Sequence, residues 1–201
     1  MTLNLKNFLN PKIKMSKMGE FQELKAIQGL EISCVSADLY GDGRDDLALF
    51  YFPDGANCGA VYTSSKVTSA CINWNLKIKR HFVKALLVNT KNANTFTGLK
   101  GAQGLKEIAQ SLSKTLTLKS SQSPKGVNEI IKITDLLFSS TGVIGEEFPH
   151  RKIINSIPDL VKKLKTEQTK YHWFKAASAI MTTDTKPKVA YEECKIGSKL
   201  V

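Results

Sequence analysis

Between Val83 and Leu116 the hydrophobic period of the chain changes, and that change restricts the fold more than any other feature. Val83–Asn89 (VKALLVN) is a short apolar run, the pattern of a strand covered on both faces. From Gly101 the period lengthens, and Leu105, Ile108, Ala109, Leu112 and Leu116 fall on one helical stripe. A strand that needs cover on two faces, followed at once by an amphipathic helix, is the beginning of a layered α/β domain. The rest of the chain fits that plan. Asp45–Phe52 and Cys58–Thr63 read as paired strands around the turn residues Pro53–Asn57. Thr117–Gly126, rich in Ser and Lys and holding Pro124, reads as an exposed loop, and Ile133–Ser139 as a further strand. Pro149 suits the first turn of a helix whose apolar face is Ile153, Ile154, Ile157, Leu160, Val161 and Leu164. Tyr171–Met181 forms another helix, and Cys194–Val201 reads as a strand–turn–strand beginning. No segment of 20–50 residues repeats, which argues against a solenoid or propeller.

Composition narrows the class without naming a chemistry. With 201 residues, 42% hydrophobic and 23% charged, the chain is long enough for one core without staples. Its apolar stretches are far too short to cross a bilayer. The four cysteines form no C-x-x-C pair and keep no zinc-ligand spacing to His81, His150 or His172, so they read as free thiols in a reducing cytosol. Residues 1–26 hold lysines but no signal-peptide core and read as a poorly ordered extension ahead of one domain at 27–201. The net charge of +11 invites anionic partners, yet the lysines are spread evenly and no aromatics interleave with them, which argues against nucleic acid.

Local motifs are weak. Asp38–Asp46 (DLYGDGRDD) resembles a calcium loop, but Tyr40 stands where an oxygen ligand belongs and the motif occurs once. It reads as a tight turn entering the following strand, and no metal is assigned. No histidine sits in a nucleophile signature, and no phosphate-binding glycine loop is present. On these motifs alone, a basic non-catalytic interaction module and a calcium-binding β domain both remain open.

Three longer segments carry more. Val88–Gly98 (VNTKNANTFTG), Ser139–Glu146 (SSTGVIGE) and Ala179–Lys188 (AIMTTDTKPK) occur in the order, and close to the spacing, of the ornithine acetyltransferase (glutamate N-acetyltransferase) family. Asp45–Leu49 and Ala60–Lys66 (AVYTSSK) also resemble its first strands, so the likeness runs from about Ile27 to the end. The resemblance implies an α/β/β/α layered sandwich and an enzyme of arginine biosynthesis that cuts itself into α and β chains. It implies transfer of acetyl from N-acetylornithine to glutamate through the β-chain threonine, with acetyl-CoA as an alternative donor and no cofactor. By the same resemblance Thr141 and Gly142 form an oxyanion hole and Thr182 binds substrate. A helix-capping hydroxyl is the competing reading for Thr182. Asn89, Asn92 and Asn94 receive no role, and Lys91, standing where the family usually has glycine, suggests that this loop needs no positive φ. The family pattern continues past Val201 with the cleavage site and nucleophile. The expectations are an inactive α-chain portion, cytoplasmic and assembled with its β chain as α2β2, and without that chain a tail and sheet edge lacking partners.

Overall fold

The structure, a computed structural model, describes residues 24–78, 81–122 and 129–200. Its organiser is β2 (Leu47–Asn57), whose apolar residues alternate between two covered faces. β1 (Glu31–Val35) and β3 (Phe82–Asn89) flank it antiparallel, and β4 (Leu136–Ser140) pairs parallel to β3, giving the order β1-β2-β3-β4. One row of partners crosses the whole sheet: Val35, Leu47, Asn89 and Ser140.

The two faces bury different helices. Leu47, Leu49, Tyr51, Leu87 and Phe138 meet α2 (Gly98–Ser121) and α3 (His150–Lys162) in the main core. The stripe foreseen on α2 is buried in full, and on α3 only Ile154 is partly exposed. On the opposite face Ile32, Cys34, Ala48 and Val88 pack against Ala176 and Ala179 of α4 (Lys170–Ala179). Strand and helix periods therefore agree, and the α/β class read from the sequence is the class observed. Among the described residues no helix is long and apolar enough to cross a membrane.

Several elements differ from the sequence reading. Residues Pro53–Asn57 are not a hairpin turn, because β2 runs through them with a register irregularity between Tyr51 and Ala56 opposite Ala85 and Val83. A bulge absorbs the turn-forming residues without reversing the strand. Cys58–Thr63 is accordingly no strand of this sheet, and β1 takes the place beside β2. Thr117–Ser121 belongs to α2, not to a loop. Leu116 is fully buried, and the Thr117 hydroxyl accepts the Ile131 N–H at 3.0 Å, which gives this last turn a tertiary anchor. Residues 123–126 of that expected loop, and residues 1–23 of the N-terminal extension, lie outside the described residues.

The sheet edge also departs from expectation. α1 (Ala70–Asn75), capped by the Ser69 hydroxyl, lies along β4 and occupies its outer backbone groups. The Asn75 amide accepts the Phe138 N–H at 3.1 Å and donates to its carbonyl at 2.9 Å, while the Trp74 indole donates to Leu136 O at 3.0 Å. One side chain thus imitates a neighbouring strand. At the other edge Ile32 exchanges two backbone hydrogen bonds with Lys165. The tail is the strand–turn–strand read from the sequence, and it is not wholly without a partner: β5 (Lys195–Ile196) pairs with β6 (Lys199–Leu200) and, among the described residues, with no other strand, and Ile196 is exposed.

Candidate functional site

The row that ends the sheet at Asn89 and Ser140 leads directly into the candidate site. Past β4 the chain bends at Gly142 and again over residues 144–146, and every second N–H from Thr141 bonds back to the segment after β3. Thr141 N–H donates to Asn89 O at 3.0 Å, Val143 N–H to Lys91 O at 2.7 Å and Gly145 N–H to Thr95 O at 2.9 Å. These bonds stitch residues 141–145 onto the loop after β3. The intervening Gly142 N–H faces the other way and makes no hydrogen bond among the described residues, nor does the half-buried Thr141 hydroxyl. Two donors on adjacent residues are thereby left free beside a fixed backbone.

Gly142 is required there. Its φ is +133°, and a Cβ would lie 2.1 Å from Lys91 O and 2.8 Å from Asn92 N. No side chain fits so close to backbone, so glycine lets the two segments touch.

The loop is held from beneath by asparagines that sequence reasoning left without a role. Asn89 is buried; its amide donates to Thr90 O and Asn92 O, both at 3.1 Å, and accepts from the Ser140 hydroxyl at 2.8 Å. Ser140 Oγ lies 3.0 Å from Cys71 Sγ. Burial pushes the Cys71 thiol up to about 11, so at neutral pH it stays protonated and donates into this chain. Asn92 Nδ2 donates to Glu146 Oε2 at 3.0 Å, which Lys91 Nζ also reaches at 3.0 Å. Asn94 accepts from the Thr97 hydroxyl at 2.7 Å and donates to Gly101 O at 3.3 Å. The signal was present in the sequence as three asparagines within six residues, a side chain suited to bracing turns. The reading of Lys91 is corrected: its φ is +72°, so this lysine occupies a left-handed position that glycine would fill without strain.

Thr182 follows α4. That helix starts beside Leu30, where Gln168 Nε2 donates to Leu30 O at 2.9 Å, and runs toward Asp45, which Lys175 meets at 3.2 Å. Its C-terminus therefore points to the same end of the sheet as Thr141. Thr182 is half-buried, and its hydroxyl bonds no helix carbonyl among the described residues, so the capping reading is not what the structure displays. No hydrogen bond joins Thr182 to Thr141 or Gly142 among the described residues. Two open grooves, of about 1010 and 640 Å³, lie nearby against the N-terminus of α2, and neither is lined by these three residues.

The Asp38–Asp46 loop is a turn built on one carboxylate. Asp46 accepts from Ala37 N–H and Leu39 N–H, both at 2.7 Å, using both oxygens. Burial raises its pKa, and these two N–H groups pull the other way. Arg44 stacks on Tyr40 with 3.2 Å from its guanidinium carbon to the ring centroid. Among the described residues no group of three or more His, Cys, Asp or Glu is arranged to hold a metal.

Comparison with known proteins identifies the family. Residues 31–201 match the model of the ArgJ family. The arginine biosynthesis bifunctional protein ArgJ of Gluconobacter oxydans is 35% identical over 87% of this chain and 37% of its own length. Its counterpart in Bartonella henselae is 33% identical over 90% of this chain and 40% of its own. The chain thus spans about two-fifths of the length of the curated relatives it matches. An ornithine acetyltransferase from Mycobacterium tuberculosis, solved in complex with ornithine, superposes with a TM-score of 0.70 at 25% identity. That match covers 81% of this chain and 80% of the solved one. The Bacillus halodurans ArgJ structure shares the fold at a TM-score of 0.69 and 24% identity, over 90% of this chain and 88% of its own. With the family pattern running over residues 31–201 and the sheet and helices of solved members reproduced, this chain belongs to the ArgJ family.

Proposed function

We propose that the chain is the α-chain portion of a cytoplasmic acetyltransferase of arginine biosynthesis, moving acetyl from N-acetylornithine to glutamate. The observation that carries this reading is the pair of free donors at Thr141 and Gly142, set on backbone that three hydrogen bonds hold in place. Donors fixed before reaction stabilise a developing oxyanion at no reorganisation cost, and each is worth about 3–4 kcal/mol. The nucleophile is the N-terminal threonine of a complementary β chain, with which this chain assembles as α2β2. Its hydroxyl oxygen adds to the acetyl carbonyl, and the negative charge on the carbonyl oxygen meets the Thr141 hydroxyl and the Gly142 N–H. Collapse breaks the bond to the ornithine nitrogen, which leaves with the nucleophile's proton. The glutamate amine then attacks the acetyl ester, and N-acetylglutamate departs as the threonine regains its hydrogen. Thr182 binds the substrate chain at the same end of the sheet.

Chain lengths support a two-chain reading. The two solved chains are matched over 80% and 88% of their length, so they are near this chain's size, whereas the curated relatives are more than twice as long.

The test uses the 201-residue chain with and without a complementary segment, with N-acetylornithine and acetyl-CoA each supplied as donor. Alone it transfers no acetyl; with the segment it does. In the active mixture Thr141→Ala lowers kcat by roughly 10²–10³-fold at a nearly constant KM, while Thr182→Ala chiefly raises KM. Turnover by the isolated chain, or a Thr141→Ala variant with full kcat, refutes the assignment.

A further inference from the structure

The peptide against which Gly142 lies is braced by a single side chain. The three atoms nearest the place of a Gly142 Cβ are Lys91 O, Lys91 C and Asn92 N, at 2.1, 2.2 and 2.8 Å. The Lys91–Asn92 peptide is therefore the surface on which Gly142 rests, and its placement sets the direction of the Gly142 N–H. Val143 N–H donates to Lys91 O at 2.7 Å and Val143 O accepts from Ala93 N–H at 2.9 Å, so Asn92 and Val143 form a parallel bridge. After the bend over residues 144–146 the Glu146 side chain returns to the same peptide. Its Oε2 accepts from Lys91 Nζ and from Asn92 Nδ2, both at 3.0 Å, so one oxygen ties the side chains on either side of that peptide.

The two contacts are unequal. The Lys91 and Glu146 side chains are 35% and 45% exposed, and an ion pair so open to water contributes little. Asn92 is buried, and an amide that donates to an ionised carboxylate makes the stronger bond. The Asn92 amide records this balance. Its Nδ2 takes two acceptors, Glu146 Oε2 and Glu147 O at 3.3 Å, while its Oδ1 is buried with no hydrogen-bond partner. A buried acceptor left unpaired is costly, yet turning the amide over would set Oδ1 against the carboxylate. The carboxylate thus dictates the orientation of the amide.

From this arrangement we infer that Glu146 is a positioning residue of the oxyanion site: through Asn92 its carboxylate fixes the Lys91–Asn92 peptide and, with it, the Gly142 N–H. Glu146 touches no reacting atom and acts only through that peptide. The inference rests on the acetyl-transfer reading above and adds the group that keeps the donors of that reading aimed. Misplacing a group at a reacting centre by about 1 Å costs on the order of 100-fold in rate, so a brace outside the site matters.

The test has two arms. In the 201-residue chain alone, Glu146→Ala speeds hydrogen exchange at the Val143 and Ala93 amides by about tenfold. Glu146→Gln, which keeps an acceptor for Asn92, and Glu147→Ala, which removes only the neighbouring charge, leave both amides at the wild-type rate. Glu146 is exposed, so its truncation spares the core and lowers Tm by less than about 4 °C. In the chain mixed with its complementary segment, Glu146→Ala lowers kcat by about 10–100-fold at a nearly constant KM. Glu146→Gln recovers kcat to within about threefold of wild type. Unchanged exchange in Glu146→Ala overturns the inference, and so does an unchanged kcat while Thr141→Ala still loses it; both leave the acetyl-transfer reading intact. An equal loss of kcat in Glu146→Gln also overturns it, because charge and not bracing would then carry the effect. Faster exchange throughout the chain with a large fall in Tm marks a general structural role and overturns it too. A mixture that transfers no acetyl removes both the inference and the reading.

Discussion

Replacing Gly142 by alanine tests the architecture of the site most directly. The added Cβ would stand 2.1 Å from Lys91 O, where ordinary contact begins near 3.4 Å, so the two segments must separate by more than 1 Å. That motion breaks the 2.7 Å bond from Val143 N–H to the same carbonyl, a loss of about 1 kcal/mol. Holding alanine at φ +133° adds about 1–3 kcal/mol of backbone strain. The total, about 2–4 kcal/mol, corresponds to a fall in Tm of roughly 4–16 °C for a chain of this size. Gly145→Ala is the control, because its φ is +82° but nothing lies within 4 Å of the added carbon. It should lose only about 1 kcal/mol. Thermal unfolding followed by far-ultraviolet circular dichroism reads both variants. Equal shifts for the two would refute the argument, since contact with Lys91 would then contribute nothing beyond backbone strain.

Three other outcomes follow from the same geometry. Asn75→Leu removes both bonds to Phe138 and uncovers the edge of β4, costing about 2–4 kcal/mol and promoting association seen by light scattering. Asp46→Ala leaves the buried N–H groups of Ala37 and Leu39 without acceptors, so urea unfolding should show a loss of about 2–6 kcal/mol, with Asp46→Asn in between. Burial raises the thiols of Cys34 and Cys71 from 9.0 to about 12 and about 11, so above pH 9 the unfolded chain releases protons that the folded chain keeps. Stability contributed by the buried neutral thiols is therefore full below pH 9 and falls as pH rises toward 11–12. In the native protein at pH 8.5 iodoacetamide should label exposed Cys194 well before Cys34 or Cys71.

The sequence by itself determined the class of the fold and most of its cover. A buried strand at Val83–Asn89 and the stripes of α2 and α3 are properties of residue order, because periods of two and 3.6 assign each side chain to a face before any contact forms. The Ser139–Glu146 segment likewise announced a turn after a strand, since a Thr-Gly pair there is a local pattern, whereas the oxyanion role proposed for it comes from the family resemblance. Tertiary structure decided what depends on partners distant in the chain. The Pro53–Asn57 stretch has every local mark of a hairpin, yet pairing of Ala56 and Asn57 with Val83 and Phe82 of β3 carries β2 through it as a bulge. Ser and Lys around Thr117 suggest a loop, but burial of Leu116 and the bond to Ile131 extend the helix through them. Lys91 adopts a positive φ because its carbonyl must reach Val143, fifty-two positions away, and no local preference carries that demand. The freedom of the Gly142 N–H is of the same kind. It exists because the bonds of Thr141 and Val143 to the other loop turn it outward, so the donor is a product of pairing between segments and not of its own sequence.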